Sequence, residues 1–140
     1  MRNSGKINSL KNCVISSNGT YGLYCSEGGS VVMTGCTLSK NTNDGARITG
    51  DGSNAKISDC VILENLANGI VVIETAKISS LQDVTVTDNG KHGIAVYKNS
   101  AIQGVTGTIN ATGNGGNQVY VEAGADTDLT TQKTDYVQTF

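Results

Sequence analysis

The sequence predicts an all-β protein, a parallel β-solenoid of about five coils of 23–25 residues. Two observations predict it. Asn recurs at positions 18, 41, 65, 89 and 114, in steps of 23, 24, 24 and 25. The residues around each Asn alternate with period two, not 3.6. A repeat of this length is the mark of a stacked architecture and is sought before anything else.

Three apolar columns run in the same register. Leu10, Met33, Ile57, Leu81 and Val105 form the first. Cys13, Cys36, Cys60 and Val84 form the second, which reaches Ile109 after a one-residue slip. Ile15, Leu38, Ile62, Val86 and Ala111 form the third. Runs such as "GIVVI" from Gly69 and "GIAVY" from Gly93 are short, β-branched and flanked by turn residues, which predicts strands. One coil cannot bury its inner face alone, so the copies must stack. Five coils at about 4.8 Å each give a rod about 24 Å tall. No segment carries an apolar i, i+3, i+4 stripe, and Gly, Asn and Thr are too dense for helical repeats. The dense leucine consensus of leucine-rich repeats is also missing.

Alternation orients the strands after each Asn. Leu23, Ala46, Ile70, Ile94 and Val119 are uniformly apolar and point inward, as do Cys25, Ile48, Val72, Val96 and Val121. Between them Tyr24, Arg47, Val71, Ala95 and Tyr120 are mixed and point outward. Val14, Thr37, Val61 and Thr85 are outward on the preceding strands. The repeated Asn marks a turn, because Asn tolerates left-handed dihedrals and its amide bonds local backbone. Stacked coils let Asn18, Asn41, Asn65, Asn89 and Asn114 bond one another as a ladder. Gly22, Gly45, Gly69 and Gly93, four residues on, mark a site where a Cβ is unfavourable or φ is positive; Gln118 takes that place in the fifth copy.

The copies of N-x-x-x-G-[ILV]-x-[VI] resemble the repeats of right-handed parallel β-helix proteins over about residues 4–124. That family includes pectate-lyase-like enzymes, NosD-type periplasmic proteins, mannuronan epimerases and phage tailspikes. The resemblance implies a single-stranded right-handed parallel β-helix over residues 1–124, with a tail at 125–140 that caps the end or contacts another subunit. It implies little about function, because the matching residues are structural.

At 140 residues the chain is one domain, with eighteen Gly, no Pro and no Trp. A net charge of −2 gives no reason to expect nucleic acid as partner. No apolar stretch approaches a membrane span, and no signal peptide is visible in this chain. Cys13, Cys36 and Cys60 stack as small buried hydrophobes, and no C-x-x-C spacing suggests zinc. No cofactor and no metal are expected. His92, the single histidine, falls on a turn and reads as solvated. Asp59 with Asp83, and Glu64 with Asp88, occupy equivalent positions in adjacent coils. They are the candidate catalytic carboxylates, since paired acids raise one pKa or hold a cation. The competing reading is plain turn chemistry.

"GADTDLTT" from Gly124 reads as a linker, and "KTDYVQTF" as a C-terminal cap. The first coil begins almost at Met1 and shows no comparable cap. Val61, Leu63, Val71 and Ile73 read as an outward apolar patch in coil three, an interface candidate. Together these favour a non-catalytic structural or recognition module, a homo-oligomer with a trimer favoured. The expected setting is a virion, tailspike or cell surface. The alternative is a polysaccharide lyase or glycoside hydrolase acting on an acidic glycan.

Overall fold

A computed structural model describes residues 2–140. Coil one holds β1 (Lys6–Lys11), β2 (Val14–Ser16) and β3 (Leu23–Cys25). Coil two holds β4 (Ser30–Thr34), β5 (Thr37–Ser39) and β6 (Ala46–Thr49). Coil three holds β7 (Asn54–Ser58), β8 (Val61–Leu63) and β9 (Ile70–Ile73). In coil four the first two strands fuse as β10 (Lys77–Thr87), followed by β11 (Ile94–Val96). Coil five holds β12 (Ala101–Ile102), β13 (Val105–Thr112) and β14 (Val119–Val121). Then come β15 (Asp126–Thr127) and β16 (Tyr136–Thr139).

The chain is a right-handed parallel β-helix. Strand pairs between successive coils are parallel, in the register of the sequence columns: Leu10 meets Met33, Met33 meets Ile57, Ile57 meets Leu81 and Leu81 meets Val105. The third strands form a separate five-stranded sheet in the order β14-β11-β9-β6-β3. The slip before Ile109 is a bulge opposite Asp83, where Gly107 takes a left-handed φ of 66°. The inward Ile and Leu of coils two to five are fully buried in one core, which stacking alone makes possible.

The ladder is continuous. In each rung the backbone N–H and the side-chain amide of one Asn both donate to Oδ1 of the Asn in the next coil. The amide distances are 2.8 Å from Asn18 to Asn41, 2.8 Å from Asn41 to Asn65, 2.9 Å from Asn65 to Asn89 and 2.9 Å from Asn89 to Asn114. Two details differ from expectation. The ladder asparagines are not left-handed; the residue before each one is, at Ser17, Lys40, Glu64, Asp88 and Gly113. That placement turns the chain before the Asn and leaves its amide free to point into the stack. The glycines four residues on have ordinary φ, so only close approach excludes a side chain there.

Gln118 ends the ladder. Its Oε1 accepts the Asn114 N–H at 3.0 Å and the Asn114 amide at 2.7 Å, as the Oδ1 of a sixth Asn would. Its own amide donates to the carbonyls of Asn114 and Lys133. The longer side chain reaches from the Gly column into the Asn column, which is why Gln can replace Gly where no further coil follows. Gln118→Ala leaves the buried Asn114 N–H unpaired and takes from its amide the shortest of three acceptors. A loss of about 1–2 kcal/mol in urea unfolding is expected, against no loss if water replaces the rung.

The stretch read as a linker instead continues the stacking. β15 pairs parallel with β12, and Leu129 is buried in the core. β16 returns antiparallel along β13 with Tyr136 buried, and Gln132 bridges Val119. At the other end Ile7, Leu10, Cys13 and Ile15 are only partly buried, unlike Val31, Met33, Cys36 and Leu38 one coil on.

Candidate functional site

The four carboxylates belong to turn columns. Asp59 and Asp83 have φ near +50° and continue the left-handed column that holds Asn12, Gly35 and Gly107. Glu64 and Asp88 stand in the second left-handed column, just before the ladder. The Asp83 carboxylate accepts the Thr108 N–H at 2.9 Å and the Gln82 amide at 3.2 Å. The Thr108 bond, then the Gln82 bond, lowers its pKa below the ordinary Asp value. A general acid requires the opposite shift. Glu64 forms an exposed ion pair with Lys40 at 3.5 Å. Gly107 and Gly113 sit where a Cβ would overlap the carboxylates of Asp83 and Asp88. These acids and glycines therefore fit together as turn partners across coils. Among the described residues no group of three or more His, Cys, Asp or Glu could hold a metal ion.

The interface candidates do not form one exposed patch. Val61 and Leu63 lie on β8, Val71 and Ile73 on β9 in the other sheet. Val71 faces outward yet is 1% exposed. The cysteines are all free, with Cys25, Cys36 and Cys60 buried and Cys13 partly so. Burial pushes the thiols of Cys25 and Cys60 above their ordinary pKa. Cys36 and Cys60 accept backbone N–H groups along the stack, from Cys13 at 3.5 Å and from Cys36 at 3.4 Å.

The chemistry collects on the outer face of the β3-β6-β9-β11-β14 sheet. Strand pairing stacks Tyr24, Arg47, Val71, Ala95 and Tyr120 in one outward column. A second column, two residues on, places Ile73 beside Thr49 and leads to Tyr97 and Glu122. A third runs along the turns as Tyr21, Asp44, Asn68, His92 and Asn117. Four of the five tyrosines and the single histidine thus share one face. Sequence columns placed these residues but were read one at a time; the signal lay in reading the three columns together.

The turn column is a second hydrogen-bonded ladder. Asn68 donates through its N–H and its amide to Asp44 Oδ1, at 3.0 and 2.8 Å. The His92 N–H donates to Asn68 Oδ1 at 3.0 Å, and the Asn117 N–H donates to His92 Nδ1 at 2.9 Å. His92 is thus partly buried and bonded, not a freely solvated turn residue. Its ring stacks on Tyr120 with centroids 5.0 Å apart, and Tyr120 meets Tyr97 at 5.6 Å. At the other end Tyr21 stacks on Tyr24 at 5.0 Å, with Arg2 over Tyr24 and Arg47 over Tyr21. Arg47 also donates to the buried carboxylate of Asp44 at 3.0 Å. Burial, then the neighbouring Tyr120 and Asp44, raises the Tyr97 pKa above its ordinary value. The small Ala95 and Val71 stand between the two ring groups in the outward column and are buried. Among the described residues no pocket opens, so this surface is an open face.

His92 predicts a pH dependence. Burial, helped by the Lys91 charge, lowers its pKa below the ordinary value. The geometry acts the same way, since a protonated Nδ1 has no lone pair for the Asn117 N–H. The folded pKa lies below the unfolded one, so this stabilisation is complete above about pH 6.5 and is lost as pH falls through the folded value. Between about pH 7.5 and pH 5 the melting temperature of the wild type should fall further than that of His92→Asn, which carries the residue found at 68 and 117. Parallel curves would contradict this.

No curated protein and no solved structure matches the chain. Among the described residues no helix is long and apolar enough to cross a membrane. The family model described as "right handed beta helix region" matches residues 1–110. With the stacked coils and the continuous Asn ladder, that match shows that the chain belongs to the right-handed β-helix family.

Proposed function

We propose that this protein is a non-catalytic recognition module that binds polysaccharide through the outer face of its third-strand sheet. The observation that carries the reading is the gathering of Tyr21, Tyr24, Tyr97, Tyr120 and His92 on that face, in rings held by mutual stacking. Tyrosine offers a flat apolar ring with a polar edge. A sugar offers a matching apolar face and a rim of hydroxyls, and the Asn68–His92–Asn117 ladder lies alongside to meet them. Rings already fixed by neighbours lose little side-chain freedom on binding. The lyase or hydrolase reading draws less support, because Asp83 is held ionised by turn hydrogen bonds and Glu64 pairs with Lys40. A glycan ligand fits a virion or cell-surface setting. Val14 and Leu66, large and exposed, fit assembly into a larger object, a homo-oligomer being the simplest.

The experiment is affinity electrophoresis through gels carrying neutral and acidic polysaccharides. Wild type should be retarded in at least one neutral gel, and the Tyr24→Ala, Tyr120→Ala double variant should run freely. The same polysaccharides should release neither reducing ends nor unsaturated sugars. Product release that disappears in Asp59→Asn, Asp83→Asn would overturn the reading in favour of an enzyme.

A further inference from the structure

The geometry points to a specific ligand and a specific direction: we propose that an extended, neutral oligosaccharide lies along the solenoid axis, held by two ring platforms at opposite ends of the tyrosine face. This rests on the glycan-binding reading and goes further by fixing the ligand's charge, its minimum length and its path.

The two platforms are separate. One is Tyr21 with Tyr24 in coil one; the other is His92, Tyr97 and Tyr120 in coils four and five. Tyr24 and Tyr120 occupy the same outward column, joined through Arg47, Val71 and Ala95. Four coil spacings put them about 19 Å apart. That is beyond the reach of a disaccharide and within that of an oligosaccharide of several units. A ligand lying along any one strand would touch only one platform. A ligand crossing the strands meets both, and between them it passes the turn ladder of Asp44, Asn68, His92 and Asn117, whose polar groups repeat once per coil. A glycan repeats its hydroxyls along its length in the same manner. Val71 and Ala95 are buried under the neighbouring side chains, so the middle of the face offers no apolar slot that would suit a peptide side chain.

The charge argues for a neutral chain. Arg47, the coil-two cation beside the first platform, is bonded to the Asp44 carboxylate at 3.0 Å, and that carboxylate is itself buried. Arg47 thus brings no free positive charge to an incoming acid. Glu122, beside Tyr120, is an anion that accepts the Lys98 N–H at 2.8 Å. At the second platform a uronate chain would meet this carboxylate, while the Arg2 guanidinium over Tyr24 belongs to the first platform, four coils away. This departs from the acidic glycan that the enzyme reading expects.

The test is calorimetric titration of the full chain with matched short and long sugars: cellobiose and cellohexaose, mannobiose and mannohexaose, maltose and maltohexaose, and hexagalacturonate. At least one neutral hexasaccharide should bind at least roughly tenfold more tightly than its disaccharide, as expected for two linked platforms. Tyr24→Ala and Tyr120→Ala should each erase that advantage. Tyr120→Leu, which keeps apolar cover over Ala95 but removes the flat ring, guards against a variant that merely fails to fold. Equal affinity for a disaccharide and its hexasaccharide would overturn the axial two-platform arrangement while leaving glycan binding intact. Tighter binding of hexagalacturonate than of any neutral hexasaccharide would overturn the neutral ligand. No binding by any of the seven sugars would overturn the inference together with the reading beneath it.

Discussion

Replacing Asn65 with alanine should lower the unfolding free energy by about 3 kcal/mol. Asn65 is the middle rung and is 1% exposed. Its amide donates to Asn89 Oδ1 at 2.9 Å and to the Leu38 carbonyl at 3.1 Å. Its Oδ1 accepts both the N–H and the amide of Asn41, at 3.1 and 2.8 Å. Alanine removes all four bonds, and the groups left behind are buried. Unpaired buried donors cost more than the net value of the bonds they made. The comparison is Lys40→Ala, which breaks only an exposed ion pair with Glu64 and should change stability by less than about 1 kcal/mol. Urea unfolding of both variants measures the difference. Equal losses would mean that the ladder is decorative.

Gly69→Ala should cost a similar amount, about 3 kcal/mol, for a different reason. The φ of Gly69 is not in the left-handed region, so alanine meets no dihedral penalty. A Cβ there would overlap the Val86 side chain, lie 2.6 Å from the Gly93 carbonyl oxygen and touch the Asn89 amide at 3.0 Å. The Gly93 carbonyl cannot retreat, because it accepts the Ile70 N–H at 2.8 Å. Relief must come from separating two coils. Gly19→Ala is the control: nothing lies within 4 Å of its Cβ position, and its φ is ordinary. That variant should stay within about 0.5 kcal/mol of wild type. If the two glycine variants unfold together, the close-approach account of the Gly column is wrong.

These two columns show why so much of the fold was legible. A solenoid repeats its constraints once per coil, so a residue type needed at one place is written four or five times. The Asn and Gly columns and the apolar columns each stood out by recurrence, and their spacing fixed the strand register. What recurrence could not reveal is whatever happens once. Gln118 breaks the Gly column, and its role as the closing rung follows only from its reach to Asn114. The linker reading of residues after Gly124 failed because β15 has only two residues, too few to show alternation.

The candidate site was less legible for the same reason. Its residues differ from coil to coil, so the outward columns looked like unconstrained surface. Val71 seemed exposed because alternation reports direction, while burial depends on which neighbours fold over it. His92 seemed solvated because its equivalents, Tyr21, Asp44, Asn68 and Asn117, share no chemistry in isolation. Asp44, Asn68 and Asn117 share with His92 a hydrogen bonding across coils, which needs three dimensions to see. The carboxylate pairs drew attention because they recurred, and recurrence in this fold marks turn structure first.

Chemical-shift mapping tests most directly the claim that recognition resides on the third-strand sheet. Amide spectra of the labelled protein are recorded with and without a neutral hexasaccharide that binds. The account predicts that the largest shifts fall at Tyr24, Arg47, Asn68, His92, Ala95, Tyr97 and Tyr120, with little change at Asp59, Asp83, Glu64 and Asp88. Shifts centred on those four carboxylates, with the tyrosine face silent, would contradict it.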